Sequence, residues 1–423
     1  MTAAVATTIV QPQGMAAAPA TALENRPVPV GLVILLGALT AFGPMSIDMY
    51  LPGLPAIAKG LHGSLAQAEQ TLSAFFVGLA VGQLVYGPLS DRIGRRGPLL
   101  FGAALYVAAS LACAFAPNLA ALTALRFVQA LGGCAGMVIA RAVVRDRFEH
   151  HQVVQVLSLL LLVMGVAPIL APFLGGLVLT LASWRGLFLI LTGFGVLAGL
   201  AVLIFLKESR TVEDRAHARG ESPLRSYAAL LTHPRLVGYL LTGSLAGAAL
   251  FAYISTASAL IIETYGVSPQ MFGWVFGANA IGYIGAGQLN RGLVRRWGSD
   301  RVLGAALIAA LVSGWAVLAG ALTGFGGPAG VLAPLFCMMA TMGLTQPNAT
   351  AGALGCDPRR SGAISSLVGS GTFGVGALTA AAAGALPFAP PLRMGLVIAL
   401  AMSAAMLAHR LLITRRPRSP KPG

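Results

Sequence analysis

The 423-residue chain is 57% hydrophobic and only 10% of its residues are charged, where a soluble protein of this size would carry about 25%. That balance excludes an ordinary soluble domain and places the chain in the membrane class. A formal net charge of +15 would suit a nucleic-acid binder, so the placement of the charges has to decide between the two.

Residues 1–29 are rich in Ala, Pro and Thr, with no basic start, and the first apolar run is already of span length. No cleavable signal peptide is expected, and the segment reads as a disordered cytoplasmic tail. Twelve apolar runs follow, at roughly 30–51, 68–90, 97–116, 119–140, 153–181, 186–206, 236–262, 271–290, 302–323, 328–349, 361–386 and 393–412. Each reaches the ~20 residues that a helix needs to cross ~30 Å of hydrocarbon. Pro117-Asn118 and Gly324-Phe325-Gly326-Gly327-Pro328 supply turns where no charge separates two runs.

With twelve spans, alternate connections fall on opposite faces. All Lys and Arg residues other than Lys59, Arg126, Arg185 and Arg393 fall on one face. This is the positive-inside pattern, so both termini are expected in the cytoplasm. A nucleic-acid surface would gather its charge on one domain instead of skipping every second loop. The basic excess reports topology, and no nucleic-acid partner is expected.

Asp48 closes the first span in Ser46-Ile47-Asp48-Met49-Tyr50-Leu51-Pro52. A carboxylate at this position either faces a cavity and cycles its proton or sits in the outer headgroup layer. The next connection, Gly87-Pro88-Leu89-Ser90-Asp91-Arg92-Ile93-Gly94-Arg95-Arg96, is too short to cross a bilayer and must fix two helices on one side. Asp91 there reads as a latch, because a carboxylate gains from the free N–H groups at a helix N-terminus.

Arg126 is the only basic residue well inside a span, and it needs a partner or a wet cavity. The fifth span holds Pro168 and Pro172, each removing a backbone donor and kinking the helix, and Gly175 and Gly176, which permit close packing.

Residues 207–235 form the longest segment of mixed charge and read as a cytoplasmic linker between halves of nearly equal length, 30–206 and 236–412, with a basic tail at 413–423. The stretch Gly287 to Gly298 echoes the Gly and Arg-Arg pattern of the first basic loop about 200 residues later, with Arg291 where Asp91 would align. Tyr50, Met137, Met164, Tyr253, Asn279, Gln346 and Asn348 are candidates either for the wall of a cavity or for packing against neighbouring helices. Glu69 and Glu263 are expected at the outer interface. The four cysteines show no metal spacing and read as apolar packing residues. All six histidines fall in loops or at span ends, which disfavours an intramembrane enzyme, and no phosphate-binding loop is present.

Four of these segments carry a family resemblance. The basic loop resembles the G-x-L-x-D-R-x-G-R-R/K signature of major facilitator superfamily carriers. Arg126-Phe127-Val128-Gln129-Ala130-Leu131-Gly132 resembles that superfamily's fourth-helix motif, with Ala130 in place of a Gly. Residues 165–176 resemble the fifth-helix motif of its exporters, with Ala171 where a Gly belongs, and the run around Asp48 resembles the first-helix motif of twelve-span drug/proton antiporters.

The resemblance covers about 30–413 and is nearest the bicyclomycin-resistance (Bcr/CflA) type. It implies an all-α membrane protein of twelve helices in two pseudo-symmetric six-helix bundles, monomeric and without cofactor or metal. It further implies drug export in exchange for protons across a bacterial inner membrane by alternating access. Asp48 and Arg126 would couple the proton, and Gln129 would face the substrate cavity. Gly87, Asp91, Arg92, Gly94, Arg95, Arg96 and Ser361 would form a conformational latch reaching the eleventh helix. A proton-coupled carrier for a metabolite or amino acid is the alternative.

Overall fold

A computed structural model describes residues 29–414 other than 149, 214 and 217–221. The expected tails therefore lie mostly outside the described residues. Among those described there are helices and turns and no strand. Ten helices are long and apolar enough to cross a membrane, and a bent pair at the start of the chain makes an eleventh.

That first span is the main departure from expectation. It is not one helix over 30–51 but α1 (Val30–Thr40), α2 (Phe42–Asp48), a short turn Leu51–Gly53 and α3 (Leu54–Gly60), bent by 42°. Pro52 and Pro55 do not end it, because each occupies the first turn of a new helical segment, where its missing N–H costs nothing. The break leaves Asp48 at a helix end inside the fold.

The first half continues with α4 (Leu65–Ile93), α5 (Arg96–Ala114), α6 (Leu119–Arg147), α7 (His150–Leu181) and α8 (Arg185–Phe205). Ser64 and Gln67 form a reciprocal capping box that starts α4. A short helix α9 (Pro223–Leu231) lies in the linker.

The second half comprises α10 (Pro234–Ser258, continued to Thr264), α11 (Pro269–Trp297), α12 (Ser299–Thr323), α13 (Gly327–Cys356), α14 (Ser361–Ala385) and α15 (Pro390–Ala408). By place and by its 29 residues α11 completes the twelve. It is less apolar than the others because Gln270, Asn279, Gln288 and Asn290 punctuate it.

The signature loop is shorter than the sequence suggested. Helix α4 runs on through Pro88, Asp91 and Arg92 to Ile93, and only Gly94 and Arg95 separate it from α5. Gly94 makes the turn with φ 105°, which a side chain would resist. Gly298, with φ 81°, makes the matching turn between α11 and α12 in the second half. Pro88 cannot donate to the Leu84 carbonyl one turn back, and the Tyr227 hydroxyl of α9 donates to that carbonyl instead at 3.2 Å. The linker is thus hydrogen-bonded to the first half.

Small residues bring helices together within the first half and between the halves. Gly78 lies against the Phe127 carbonyl of α6, Gly136 against the Leu39 carbonyl of α1, and Gly277 against Ile169. The halves meet along two seams. Along α4 and α14, Gln83 packs on Gly369 and Gly87 on Ser366. Along α7 and α11, Phe173 packs on Gly273 and Gly165 on Ile284.

Candidate functional site

Arg126 is the largest fully buried side chain and anchors a polar cluster inside the first half. Its Nη1 donates to Gln129 Oε1 at 2.6 Å and its Nη2 to the Ser46 carbonyl at 2.9 Å. The guanidinium lies over the rings of Phe75 at 4.2 Å and Tyr50 at 4.4 Å, with Phe188 at 5.9 Å. Aromatic faces carry partial negative charge, so this cage offsets part of the cost of burying a cation.

The cluster extends outward from there. Gln129 donates to Ser110 Oγ at 2.7 Å, the hydroxyls of Ser46 and Tyr106 share a hydrogen bond of 2.7 Å, and those of Tyr50 and Thr71 one of 2.8 Å. Tyr106 also stacks on Phe42 with ring centroids 4.5 Å apart. Helices α2, α4, α5 and α6 are thereby tied to one cation, and α2 is gripped two residues before Asp48.

Asp48 itself is buried, at 4% exposure. Among the described residues no hydrogen bond or ion pair reaches its carboxylate, Arg126 included. It lies within Coulombic reach of Tyr253, which belongs to α10 in the other half. Tyr253 stacks on Phe276 at 5.3 Å and accepts a hydrogen bond from Asn279 Nδ2 at 3.0 Å. Asp48, Tyr253, Asn279 and Phe276 therefore converge from α2, α10 and α11. Nearby, Phe76 of α4 meets Phe251 of α10 at 4.6 Å, and Phe373 of α14 meets Phe251 at 5.6 Å. Phe76, Phe276 and Phe373 were not singled out from the sequence.

Several expected cavity residues have other work in this conformation. Gln129 and Tyr50 are fully enclosed because Arg126 takes both as partners. Met137 is pressed against Gly43 of α2. Asn348 is occupied on three sides, donating to Asn290 Oδ1 and the Leu344 carbonyl and accepting from the Ser299 hydroxyl, each at 2.7 Å. It knits α11, α12 and α13 together and lines no opening. Gln346 is half-buried and donates to the Gly243 carbonyl of α10 at 3.0 Å. Met164 is half-buried in α7.

The basic loop forms its own network. Arg95, only 5% exposed, bonds Asp91 at 2.7 Å, Asp146 at 2.8 Å and Ser90 Oγ at 2.8 Å. Arg210 of the linker bonds Asp91 at 2.9 Å. Glu208 accepts from the backbone N–H groups of Arg95 at 2.8 Å, Ser209 at 3.0 Å, Arg210 at 3.1 Å and Arg96 at 3.2 Å. Partial burial works to raise the Glu208 carboxyl, but these donors outweigh it and hold it below the usual glutamate range. Asp91 does not reach Ser361. The expected contact with the start of α14 is replaced by pairs within the first half and its linker, because Arg95 and Arg210 lie nearer. Asp146, Glu208 and Arg210 were not singled out from sequence, although their charges at span ends were the available signal.

The proline–glycine segment of α7 faces two ways. A Cβ on Gly175 would strike the Met49 carbonyl of the broken first span, and one on Gly176 would come 2.6 Å from the Pro269 carbonyl of α11. The two glycines thus seat α7 against its own half and against the other.

Comparison with known proteins agrees with this arrangement. The family model described as Major Facilitator Superfamily matches residues 36–381. The chain is 36% identical over 347 residues to an uncharacterized MFS-type transporter, YdgK, of Bacillus subtilis, covering 80% of this chain and 85% of that one. It is 31% identical over 388 residues to the bicyclomycin resistance protein homolog of Haemophilus influenzae, covering 92% and 97%. It is also 34% identical over 229 residues to the multidrug resistance protein MdtL of Klebsiella pneumoniae, covering 54% and 58%. Among solved structures, a D-xylose-proton symporter superposes with a TM-score of 0.71 at 12% identity, covering 92% of this chain and 97% of that one, a likeness of fold alone. A family match over most of the chain, on a twelve-helix fold in two halves, makes this protein a multi-pass membrane transporter of the major facilitator superfamily.

Proposed function

We propose that the protein exports small amphiphilic compounds from the bacterial cytoplasm across the inner membrane in exchange for protons. The observation that carries this reading is the buried, unpaired Asp48 carboxyl at a helix break between the two halves. An uncompensated buried charge is costly, and a carboxylic acid can avoid that cost by taking up a proton. The drug-resistance names of two relatives support a drug-like cargo. The positive-inside pattern supports cytoplasmic termini.

In the proposed cycle, Asp48 takes a proton from the periplasm when the outer mouth is open, and substrate leaves. When the inner mouth is open, substrate entering beside Tyr253, Asn279 and the Phe76–Phe251 pair favours the ionised acid, and the proton passes to the cytoplasm. Arg126 keeps one unpartnered donor, Nε, and holds the Ser46 carbonyl. A small shift of α2 would bring that cation's field to bear on Asp48. Residues 30–206 and 236–412 act as two rocking bodies joined by 207–235, with the Arg95 network bracing the inner end of the first. The chain works as a monomer in the lipid bilayer.

The test uses purified protein in liposomes loaded with a pH-sensitive dye. Substrate added against an imposed proton gradient should move uphill and discharge that gradient, and a protonophore should stop both. Uphill movement that continues after the gradient is collapsed would overturn proton exchange. Movement of an amino acid, with no response to amphiphilic drugs, would favour the metabolite carrier.

A further inference from the structure

Glu69 and Arg393 were each expected on the outer face, and the structure pairs them. Arg393 Nη2 donates to both Glu69 carboxylate oxygens, at 2.9 and 2.8 Å. The side chains are only 1% and 8% exposed. The two residues stand 324 positions apart, Glu69 near the start of α4 in the first half and Arg393 near the start of α15 in the second. Nothing in α15 itself explains a cation there, since the positive end of a helix dipole disfavours one in the first turn. The carboxylate across the seam does explain it. At this outer end the halves also meet on both seams, with Gly384 of α14 against Gln70 and Ala66 of α4 on one, and Gly176 of α7 against Pro269 of α11 on the other. At the inner end, by contrast, the described ion pairs of Asp91 stay within the first half and its linker.

We propose that Glu69 and Arg393 form the outer gate of the carrier, an ion pair that must part before the central cavity opens to the periplasm and that sets how often it does so. This rests on the alternating-access reading above, but not on the identity of the cargo or on proton exchange. Loss of either partner leaves the other charge buried without its counter-ion, a state much worse than the intact pair. Opening the outer mouth relieves that state by wetting the orphaned group. Single neutral variants should therefore favour the outward-open form. Two neutral amides in place of the pair leave no charge to relieve and can hydrogen-bond each other.

The experiment measures the distance between spin labels on Lys59 and Ala385, exposed positions at the outer ends of the two halves, in full-length Cys337→Ser/Cys356→Ser protein without substrate. Wild type should give mainly the short distance. Glu69→Gln and Arg393→Gln should each raise the long-distance population about tenfold or more, the shift that ~1.4 kcal/mol produces. The Glu69→Gln/Arg393→Gln double variant should return toward wild type. If a single neutral variant fails to fold, Glu69→Asp keeps the charge but withdraws it by one methylene, and a smaller shift in the same direction is expected. Wild-type distances in the singles, or in Glu69→Asp where it stands in for them, would overturn the gate. So would a double variant as open as the two singles combined. Because the readout needs neither drug nor proton gradient, the gate and the antiport reading can fail separately.

Discussion

Gly175 and Gly176 are neighbours in sequence, yet one methyl group added to each should have different consequences. A Cβ at Gly176 would lie 2.6 Å from the Pro269 carbonyl oxygen and 3.1 Å from the Gln270 Cα, whereas ordinary contact begins at 3.4 Å. The obstructing atoms are backbone, so the outer ends of α7 and α11 must part by about 0.8 Å, an overpacking that costs roughly 1–3 kcal/mol. Because those helices belong to different halves, outward opening removes the clash, and the same energy becomes a bias of about five- to 150-fold toward the outward-open form. At Gly175 the clash is with Met49 and Pro52 of its own half. Opening the seam brings no relief there, so Gly175→Ala should lower the melting temperature without shifting the conformational balance. Labels on Leu181 and Met271, both exposed at the outer end of this seam, would report the distance. The reasoning is refuted if Gly176→Ala keeps the wild-type distance, or if Gly175→Ala opens the seam as far.

Three further outcomes follow from the same geometry. Arg126→Lys keeps the charge but cannot reach Gln129 and the Ser46 carbonyl together while lying flat on Tyr50 and Phe75. The loss of one charge-assisted hydrogen bond, about 1.5–3 kcal/mol, should appear as a lower melting temperature together with impaired transport, and unchanged transport would show the cage to be only structural. Glu208→Gln should loosen the start of α5, and its effect should depend on pH. The native carboxyl titrates below its unfolded value, so its stabilisation is complete above the ordinary glutamate range of about 4.3 and declines as pH falls through the lowered native value. The melting-temperature gap between wild type and variant should shrink below pH ~4, and a gap constant from neutral to acid pH would contradict the account. Tyr227→Phe strips the donor that satisfies the Leu84 carbonyl at Pro88, worth about 0.5–1.5 kcal/mol, and should speed proteolysis of the linker. Unchanged cleavage would show that this bond does not dock α9.

The number of spans, their order and the tight first basic turn were legible because hydropathy and charge are properties of a segment read alone. The first basic turn illustrates this, since its brevity alone fixed two helices on one side, although the structure narrows it to Gly94, with φ 105°, and Arg95. What could not be read was the rotation of each helix about its axis. Gln129 and Asn348 look alike in sequence as polar residues in apolar runs, but one feeds a buried arginine and the other joins three helices. The break at Ala41 and the passage of helix through Pro52 also lay beyond local propensity, because the Arg126 bond to Ser46 and the seat of Gly175 on Met49 are tertiary contacts. The Glu69–Arg393 pair was invisible for the same reason, each residue reading alone as an interfacial charge.

Proton release on substrate binding tests the coupling claim most directly. Purified protein in weakly buffered detergent solution, mixed with a drug that it binds, should release close to one proton per drug bound. Asp48→Asn should still bind the drug and release none, which would place the exchanged proton on that side chain. An Asp48→Asn protein that releases as many protons as wild type would place it elsewhere and contradict the mechanism proposed here.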